Sequence, residues 1–424
     1  MLDHVLIAGS GIAGLNMAAA LAPLSRRVEI WERDTEPGAA ARPGVPHGDQ
    51  IHVLLEGGIR ALDRLFPRLL SDLAAHGIRP TGMSREVAWL TAPGWAVPLD
   101  TAHRMVTCTR PFLESRLRGF VSELANVDIQ YGRAVTGFDG ERVHAAAEQR
   151  TPTLFVDATG RRSKAVSWLG AEVGVDTVDT SAGYATVRLP SGMPAPWRGL
   201  VLQSDSANTR RGEIVPVENG EWMLTLVGCL GDRPPPQWDE FVDFAAGLRS
   251  PELAQLLAAQ DRAPVKAFRP AGNRRHRFDK LSNWPANLLV VGDAALVLNP
   301  VYAQGMTVAA QTALAVRDRL ERGRRDRLQN VVTASGKWAW FMASSADRRI
   351  LAGPNGSSGA VDRYLDRLVE VARVNATARS AALDVITLCA HPAALFAPRV
   401  LATLGTRVGD IACPVGTALA PRKA

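Results

Sequence analysis

The residues best placed to do chemistry stand at the start of the chain. Gly9-Ser10-Gly11-Ile12-Ala13-Gly14 follows the apolar run Val5-Leu6-Ile7-Ala8 and leads into Ile12, Leu15, Ala18, Ala19 and Ala22 at helical spacing. That order predicts strand, tight turn and helix. The glycines permit the turn, the approach of a pyrophosphate and close helix packing, while the helix N-terminus attracts anions. Glu32 stands 18 residues after Gly14, at the end of Val28-Glu29-Ile30-Trp31, with Arg33 beside it. A carboxylate there accepts hydrogen bonds from adenosine ribose hydroxyls. The expected cofactor contacts are therefore Gly9, Ser10, Gly11, Ala13, Gly14, Glu32 and Arg33. A mere glycine-rich turn with a surface glutamate would need strand, spacing, helix and acidic strand end to coincide by chance.

These residues must be held by an α/β framework. The 424 residues, 46% hydrophobic and 21% charged, suffice for more than one core and exclude a disordered chain. The 49 Lys and Arg against 42 Asp and Glu leave a net charge of +7. No aromatic-interleaved basic stripe accompanies that excess, so nucleic acid is not an expected partner and anionic cofactors are. Cys108, Cys229, Cys389 and Cys413 lie far apart, which predicts reduced packing residues and neither a disulfide framework nor a metal site. No basic leader opens the chain and no apolar run reaches the ~18 residues of a spanning helix, so the expected location is the cytoplasm.

Further along, residues 54–75 carry Leu54, Leu55, Ile59, Leu62, Leu65, Leu69 and Leu70 at helical spacing, and a helix is expected over 111–124. Residues 128–158 read as strands returning to the nucleotide sheet. From about 171 to 280 the pattern turns strand-like, as in Glu213-Ile214-Val215-Pro216-Val217 and Trp222-Met223-Leu224-Thr225-Leu226-Val227. A buried strand returns at Leu288-Leu289-Val290-Val291, followed by a helix from Gly305 to Glu321. The expected fold is α/β: a Rossmann-like dinucleotide-binding domain from residues 1–170 and 281–330, an inserted β-sheet substrate domain over 171–280, and a helical C-terminal region over 331–424.

Three further segments carry a family resemblance. Leu289-Val290-Val291-Gly292-Asp293-Ala294-Ala295 with Asn299-Pro300-Val301-Tyr302-Ala303-Gln304-Gly305-Met306 resembles the glycine-aspartate motif of group A FAD-dependent monooxygenases, the p-hydroxybenzoate hydroxylase-like fold. Val156-Asp157-Ala158-Thr159-Gly160-Arg161-Arg162-Ser163 resembles the family's middle aspartate-glycine motif, and Arg110 in Thr109-Arg110-Pro111 matches its arginine before a helix. The resemblance implies that Asp293 bonds the flavin ribityl chain and that Arg110 and Asp157 reach the cofactor. It places Pro300, Gly305 and Met306 beneath the isoalloxazine, with Tyr302, Ala303 and Gln304 as flavin-edge candidates. A helix starting near Gly305 would aim unpaired N–H groups at the flavin pyrimidine edge.

Arg42-Pro43-Gly44-Val45-Pro46 and Asn299-Pro300-Val301-Tyr302 are similar to bacterial natural-product epoxidases and hydroxylases, including polyether epoxidases. Two departures stand out. Where that subgroup carries a basic residue this chain has Asp49, in Pro46-His47-Gly48-Asp49-Gln50-Ile51-His52, and it has Ala303 where glycine is usual. His47 and His52 could serve as acid–base groups, although a loop histidine without a visible partner is more often structural.

The implied activity is an oxidoreductase that uses FAD, NADPH or NADH, and O2 to epoxidise or hydroxylate an apolar natural-product intermediate through a flavin C4a-hydroperoxide. Secondary metabolism, such as antibiotic biosynthesis, is the expected setting. The expected partners are a small apolar molecule and O2, in a monomer or homodimer. The apolar stretch from Ala381 to Leu404 leaves room for peripheral membrane contact, though Asp384, Arg399 and its prolines favour core packing. Trp222 and Trp238 stand as candidates for an aromatic substrate wall or for plain core. A redox-neutral FAD-containing cyclase or isomerase, motivated by Asp49 and Ala303, is the alternative. A halogenase would need Trp-x-Trp-x-Ile-Pro, whereas Trp338-Ala339-Trp340 is followed by Phe341.

Overall fold

The computed structural model describes residues 1–36, 48–146, 148–191, 197–269, 272–353, 356 and 359–414. The segment Arg42 to His47, which carries part of the subgroup resemblance, lies outside them.

The chain opens with β1 (Leu2–Ala8), α1 (Ile12–Leu21) and β2 (Ser25–Trp31). Ala88–Thr91 (β3) and the helix Arg110–Ser122 (α2) precede Val127–Gln130 (β4) and Leu154–Asp157 (β5). Next come Gly183–Leu189 (β6), Leu200–Leu202 (β7), Arg211–Pro216 (β8) and Trp222–Gly228 (β9). The helices Trp238–Ala246 (α3) and Glu252–Ala258 (α4) lead to Lys266–Phe268 (β10), Asn273–His276 (β11) and Leu288–Val290 (β12). Gly305–Glu321 (α5), Leu328–Ala352 (α6), Ala360–Ala372 (α7) and Ala376–Ile386 (α8) follow.

One sheet has the order β12-β5-β1-β2-β4 and is parallel throughout. Apart from the edge strand β4 and the starts of β1 and β2, its strands are buried on both faces, which is why Val5-Leu6-Ile7 and Leu288-Leu289-Val290 read as unbroken apolar runs. Leu15, Ala18, Ala310 and Ala313 of α1 and α5 belong to the same core. The strand order reverses about β1, so the crevice lies at the carboxyl ends of β1 and β5, where Ala8 and Asp157 are register partners. Open α/β sheets bind ligands at such a point.

A second sheet has the order β10-β6-β9-β8-β7-β3, with Gly94–Trp95 at its edge. Its pairs are antiparallel except β7 with β3, which is parallel. One face buries Val187, Leu200, Ile214, Leu224 and Leu226 against Phe241, Phe244, Leu253 and Leu257 of α3 and α4. Trp222 and Trp238 belong to this dry side and do not line the cavity described below.

Two elements differ from the sequence pattern, and a third follows its favoured reading as packed core. Residues 54–75 are not one helix: a strand at Val53–Leu55 precedes helices at Glu56–Leu65 and Leu69–Ala75. Pro67 separates them, because it lacks an N–H and forces Phe66 out of the helical region, to φ −135. Ala88 to Trp95 joins the second sheet, a long-range pairing that a four-residue strand cannot announce. Ala381 to Leu404 forms α8 and short helical turns whose Ala381 and Val400 pack with Leu368 and Val371 of α7. Among the described residues no helix is long and apolar enough to cross a membrane.

Candidate active site

A cavity of about 770 Å³ runs from the β1 turn to the second sheet. Its nucleotide end is shaped by backbone contact. Gly9 has φ +100 and a Cβ there would lie 2.6 Å from the Ala158 carbonyl oxygen; a Cβ on Gly14 would lie 1.9 Å from the Gly9 oxygen. Only glycine fits both places. Glu32, 5% exposed, lines the cavity and accepts from Ser10 N at 2.7 Å, Ser10 Oγ at 2.8 Å and Asp34 N at 3.0 Å. Gly9, Gly11, Ala13 and Arg33 line the cavity, whereas Ser10 and Gly14 shape the turn behind it.

Arg110 is the first residue of α2, lines the cavity and donates from Nε to Glu114 at 2.9 Å. Asp293 faces the same space. Burial raises its carboxyl above the usual carboxylate range, and the guanidinium groups of Arg110, Arg161 and Arg274 oppose that rise. His52 also lines the cavity, with Nδ1 2.9 Å from the Gln50 carbonyl. Burial, and then Arg110, hold its imidazole down to about 4, so it is neutral near pH 7. That suits a structural residue. Asp49 is exposed and does not line the cavity.

Asp157 is 0% exposed and is also off the cavity. Its carboxylate accepts from Thr159 N at 2.9 Å, Thr159 Oγ1 at 2.6 Å and Ser163 Oγ at 2.5 Å. The residue expected to reach the cofactor thus holds its own turn in shape, and Ala158, Thr159 and Gly160 face the cavity instead.

The turn Asn299 to Gln304 divides in the same way. Pro300, Ala303, Gly305 and Met306 line the cavity. Ala303 has φ +53, the left-handed conformation that glycine usually fills. Tyr302 points away, donating to Asp347 of α6 at 2.5 Å, and Gln304 donates to the Ile386 carbonyl at 2.9 Å. Of the three flavin-edge candidates only Ala303 lies on the cavity wall. Among the described residues no side chain caps the first turn of α5, and its first residues, Gly305 and Met306, line the cavity.

Pattern reading missed the residues that close the far end. Tyr184, Thr225 and Glu213 of β6, β9 and β8 line it, as does Gln50. Asp347, 0% exposed, anchors the turn from outside by accepting from Tyr302, Asn273 Nδ2 at 2.6 Å and Asn299 Nδ2 at 3.1 Å. Only the strand alternation of β8 and β9 hinted at Glu213 and Thr225; nothing local marks Asp347.

Residues 7–75 match the family described as NAD(P)-binding Rossmann-like domain. Over 388 residues the chain is 31% identical to Protein Rv3254 of Mycobacterium tuberculosis, covering 81% of this chain and 80% of that one. It is also 29% identical over 330 residues to a rifampicin monooxygenase of Streptomyces venezuelae, spanning 73% of this chain and 62% of the relative. The chain belongs to the group A FAD-dependent monooxygenase family. Its fold matches PqsL, a probable FAD-dependent monooxygenase from Pseudomonas aeruginosa, with TM-score 0.63 at 16% identity over 82% of this chain and 99% of that one. As a flavin-dependent monooxygenase it takes FAD, with NAD(P)H as reductant. The residues present fit that group: a cradle that any Cβ would fill, a ribose-side carboxylate and an uncapped helix start share one cavity.

Proposed function

We propose that this monooxygenase places one oxygen atom of O2 on an apolar, natural-product-like polyketide, terpenoid or aromatic intermediate, by epoxidation or hydroxylation. The observation that carries the reading is the continuity of one cavity from Gly9, Gly11 and Glu32, past Asp293 and Ala303, to Tyr184, Glu213 and Thr225. A dinucleotide lying along the first part would bring its reactive end to the second.

Bound FAD would supply hydride acceptance from NADPH or NADH and the delivery of one oxygen atom, the other leaving as water. The chain's own residues bind, orient and exclude solvent. The backbone at Gly9, Gly11 and Ala13 receives the pyrophosphate, Glu32 the ribose, Arg110 the phosphate charge and Asp293 the ribityl hydroxyls. Gly305 and Met306 present the positive end of α5 where reduction gathers negative charge. Pro300 and Ala303 set how closely a substrate approaches. Sequestration from water protects a reactive oxygen donor from unproductive decay.

In this reading residues 1–170 and 281–330 hold the cofactor, 171–280 hold the substrate and 331–424 brace both, with β3 crossing from the first part to the second sheet. A cytoplasmic monomer or homodimer acting on a small molecule, in secondary metabolism, completes it. Asp49 lies off the cavity and Ala303 keeps the positive-φ turn, so neither now favours redox-neutral cyclisation.

The test separates the two half-reactions. The purified holoprotein is reduced anaerobically with NADPH in the presence of polyene and aromatic candidates, and oxygen is then admitted. A ligand that accelerates bleaching and gains one oxygen atom on reoxidation is the expected result. Bound flavin that never accepts hydride, while a candidate is rearranged without O2, overturns the reading.

A further inference from the structure

The cavity-facing side of the second sheet carries a polar row. Register partners across β8, β9 and β6 are Glu213, Thr225 and Thr186, and Gln50 packs over the last of them. Their protons can be followed. Thr186 Oγ1 donates to Gln50 Oε1 at 2.6 Å, and the Gln50 amide donates to the Lys266 carbonyl at 3.0 Å. With its single proton so placed, Thr186 must accept from Thr225 across their 2.5 Å contact. Tyr184, on the same face, donates to Asn299 Oδ1 at 2.5 Å. Every hydroxyl of this group is therefore directed away from Glu213.

The Glu213 carboxyl lines the cavity, and its side chain is 20% exposed. Its nearest cation, Arg211 Nη2, stands 3.9 Å away, beyond hydrogen-bond length. Among the described residues none donates a hydrogen bond to it. Burial pushes this carboxyl above the usual carboxylate range, with Arg211 opposing. Val301 and Ala303 form apolar wall in the same cavity. A ligand filling the space strips water from Glu213, and a ligand without a donor leaves a polar group desolvated and unpaired.

We propose that Glu213 is a specificity-determining acceptor, and that the substrate is an apolar skeleton bearing a hydroxyl or N–H donor that meets its carboxyl. A bare hydrocarbon is disfavoured. The inference rests on the monooxygenase reading only in calling the ligand a substrate.

The experiment uses the FAD-loaded protein and matched probes: naphthol with its methyl ether, and geraniol with its methyl ether. Binding is followed by perturbation of the flavin absorption, and by calorimetry. Wild type should prefer the donor-bearing member of at least one pair by about 10- to 100-fold. Glu213→Leu should abolish that preference. Glu213→Gln, which retains a carbonyl acceptor in the same shape, should narrow it, and serves alone if the leucine variant does not fold. Binding of no member of either pair, no preference in wild type, or a preference unchanged in the variants overturns the proposal. Glu213-dependent binding without any oxygenated product would keep the acceptor and sink the monooxygenase reading. Oxygenation of donor-free alkenes by wild type as readily as of their donor-bearing counterparts would do the reverse.

Discussion

Tyr302 donates its phenolic proton to Asp347 at 2.5 Å, tying the turn that faces the cavity to a helix 45 residues further on. The same carboxylate accepts from Asn273 and Asn299, while the Asn299 backbone N–H donates to Asn273 Oδ1 at 2.7 Å and Tyr184 donates to Asn299 Oδ1. Burial raises the Asp347 carboxyl, and these donors oppose the rise. The turn is thus held by a buried polar network whose members come from β6, β11, α6 and the turn itself.

Removing one donor should be felt at a distance. Among the described residues, Tyr302→Phe leaves Asp347 Oδ1 with only the 3.4 Å contact to Asn299. The expected cost is about 1 to 3 kcal/mol, read as a lower midpoint in denaturant titration. Because Ala303 follows directly, the visible absorption of bound flavin should shift as well. An unchanged midpoint and an unchanged spectrum would show that the network does not hold the turn.

Gly14→Ala should yield a folded protein that is purified largely without FAD. Its new Cβ meets the Gly9 carbonyl at 1.9 Å, so the β1 turn must move. A loss of at least about tenfold in FAD affinity is expected, corresponding to roughly 1.4 kcal/mol, measured by quenching of flavin fluorescence on reconstitution.

Ala303→Gly relieves a left-handed residue. The strain of about 1 kcal/mol at φ +53 is offset in part by the greater freedom of glycine in the unfolded chain. The expected result is a stability equal to wild type or higher by up to about 1 kcal/mol. A fall of more than about 1 kcal/mol would mean that the methyl group packs favourably against the substrate half.

His52 should shape the acid limb of stability. Its imidazole is held to about 4 in the fold against an ordinary 6.5, so between those values the unfolded chain binds the extra proton. Stability from this source is complete above pH 6.5 and is lost as pH falls toward 4, by on the order of 3 kcal/mol at most. His52→Gln should flatten that limb. Reduction by NADPH should show no ionisation near neutrality that this substitution removes.

The cofactor half could be read from the chain because its parts are close in sequence. Strand, Gly9 to Gly14, helix and Glu32 form one continuous βαβ unit, where a turn needing glycine and a buried strand leave local marks. The helix from Gly305 to Glu321 was equally plain from its spacing. Asp157 misled because a strand-end aspartate looks the same whether it faces a ligand or Thr159 and Ser163. Pro67, by contrast, was visible and still overshadowed by a leucine pattern that runs through it.

The rest depended on packing between distant segments. Asp347 meets Tyr302, Asn299 and Asn273 across 45 to 74 residues of chain, and Tyr184 meets Asn299 across 115. Glu213 is one polar residue of an alternating strand until β9, β6 and Gln50 surround it and use up the nearby donors. Local pattern selects backbone conformation and which face is apolar. Which buried polar groups find partners, and which are left for a ligand, is set only when non-adjacent strands and helices pack, because hydrogen bonding is decided at ångström distances that no sequence spacing encodes.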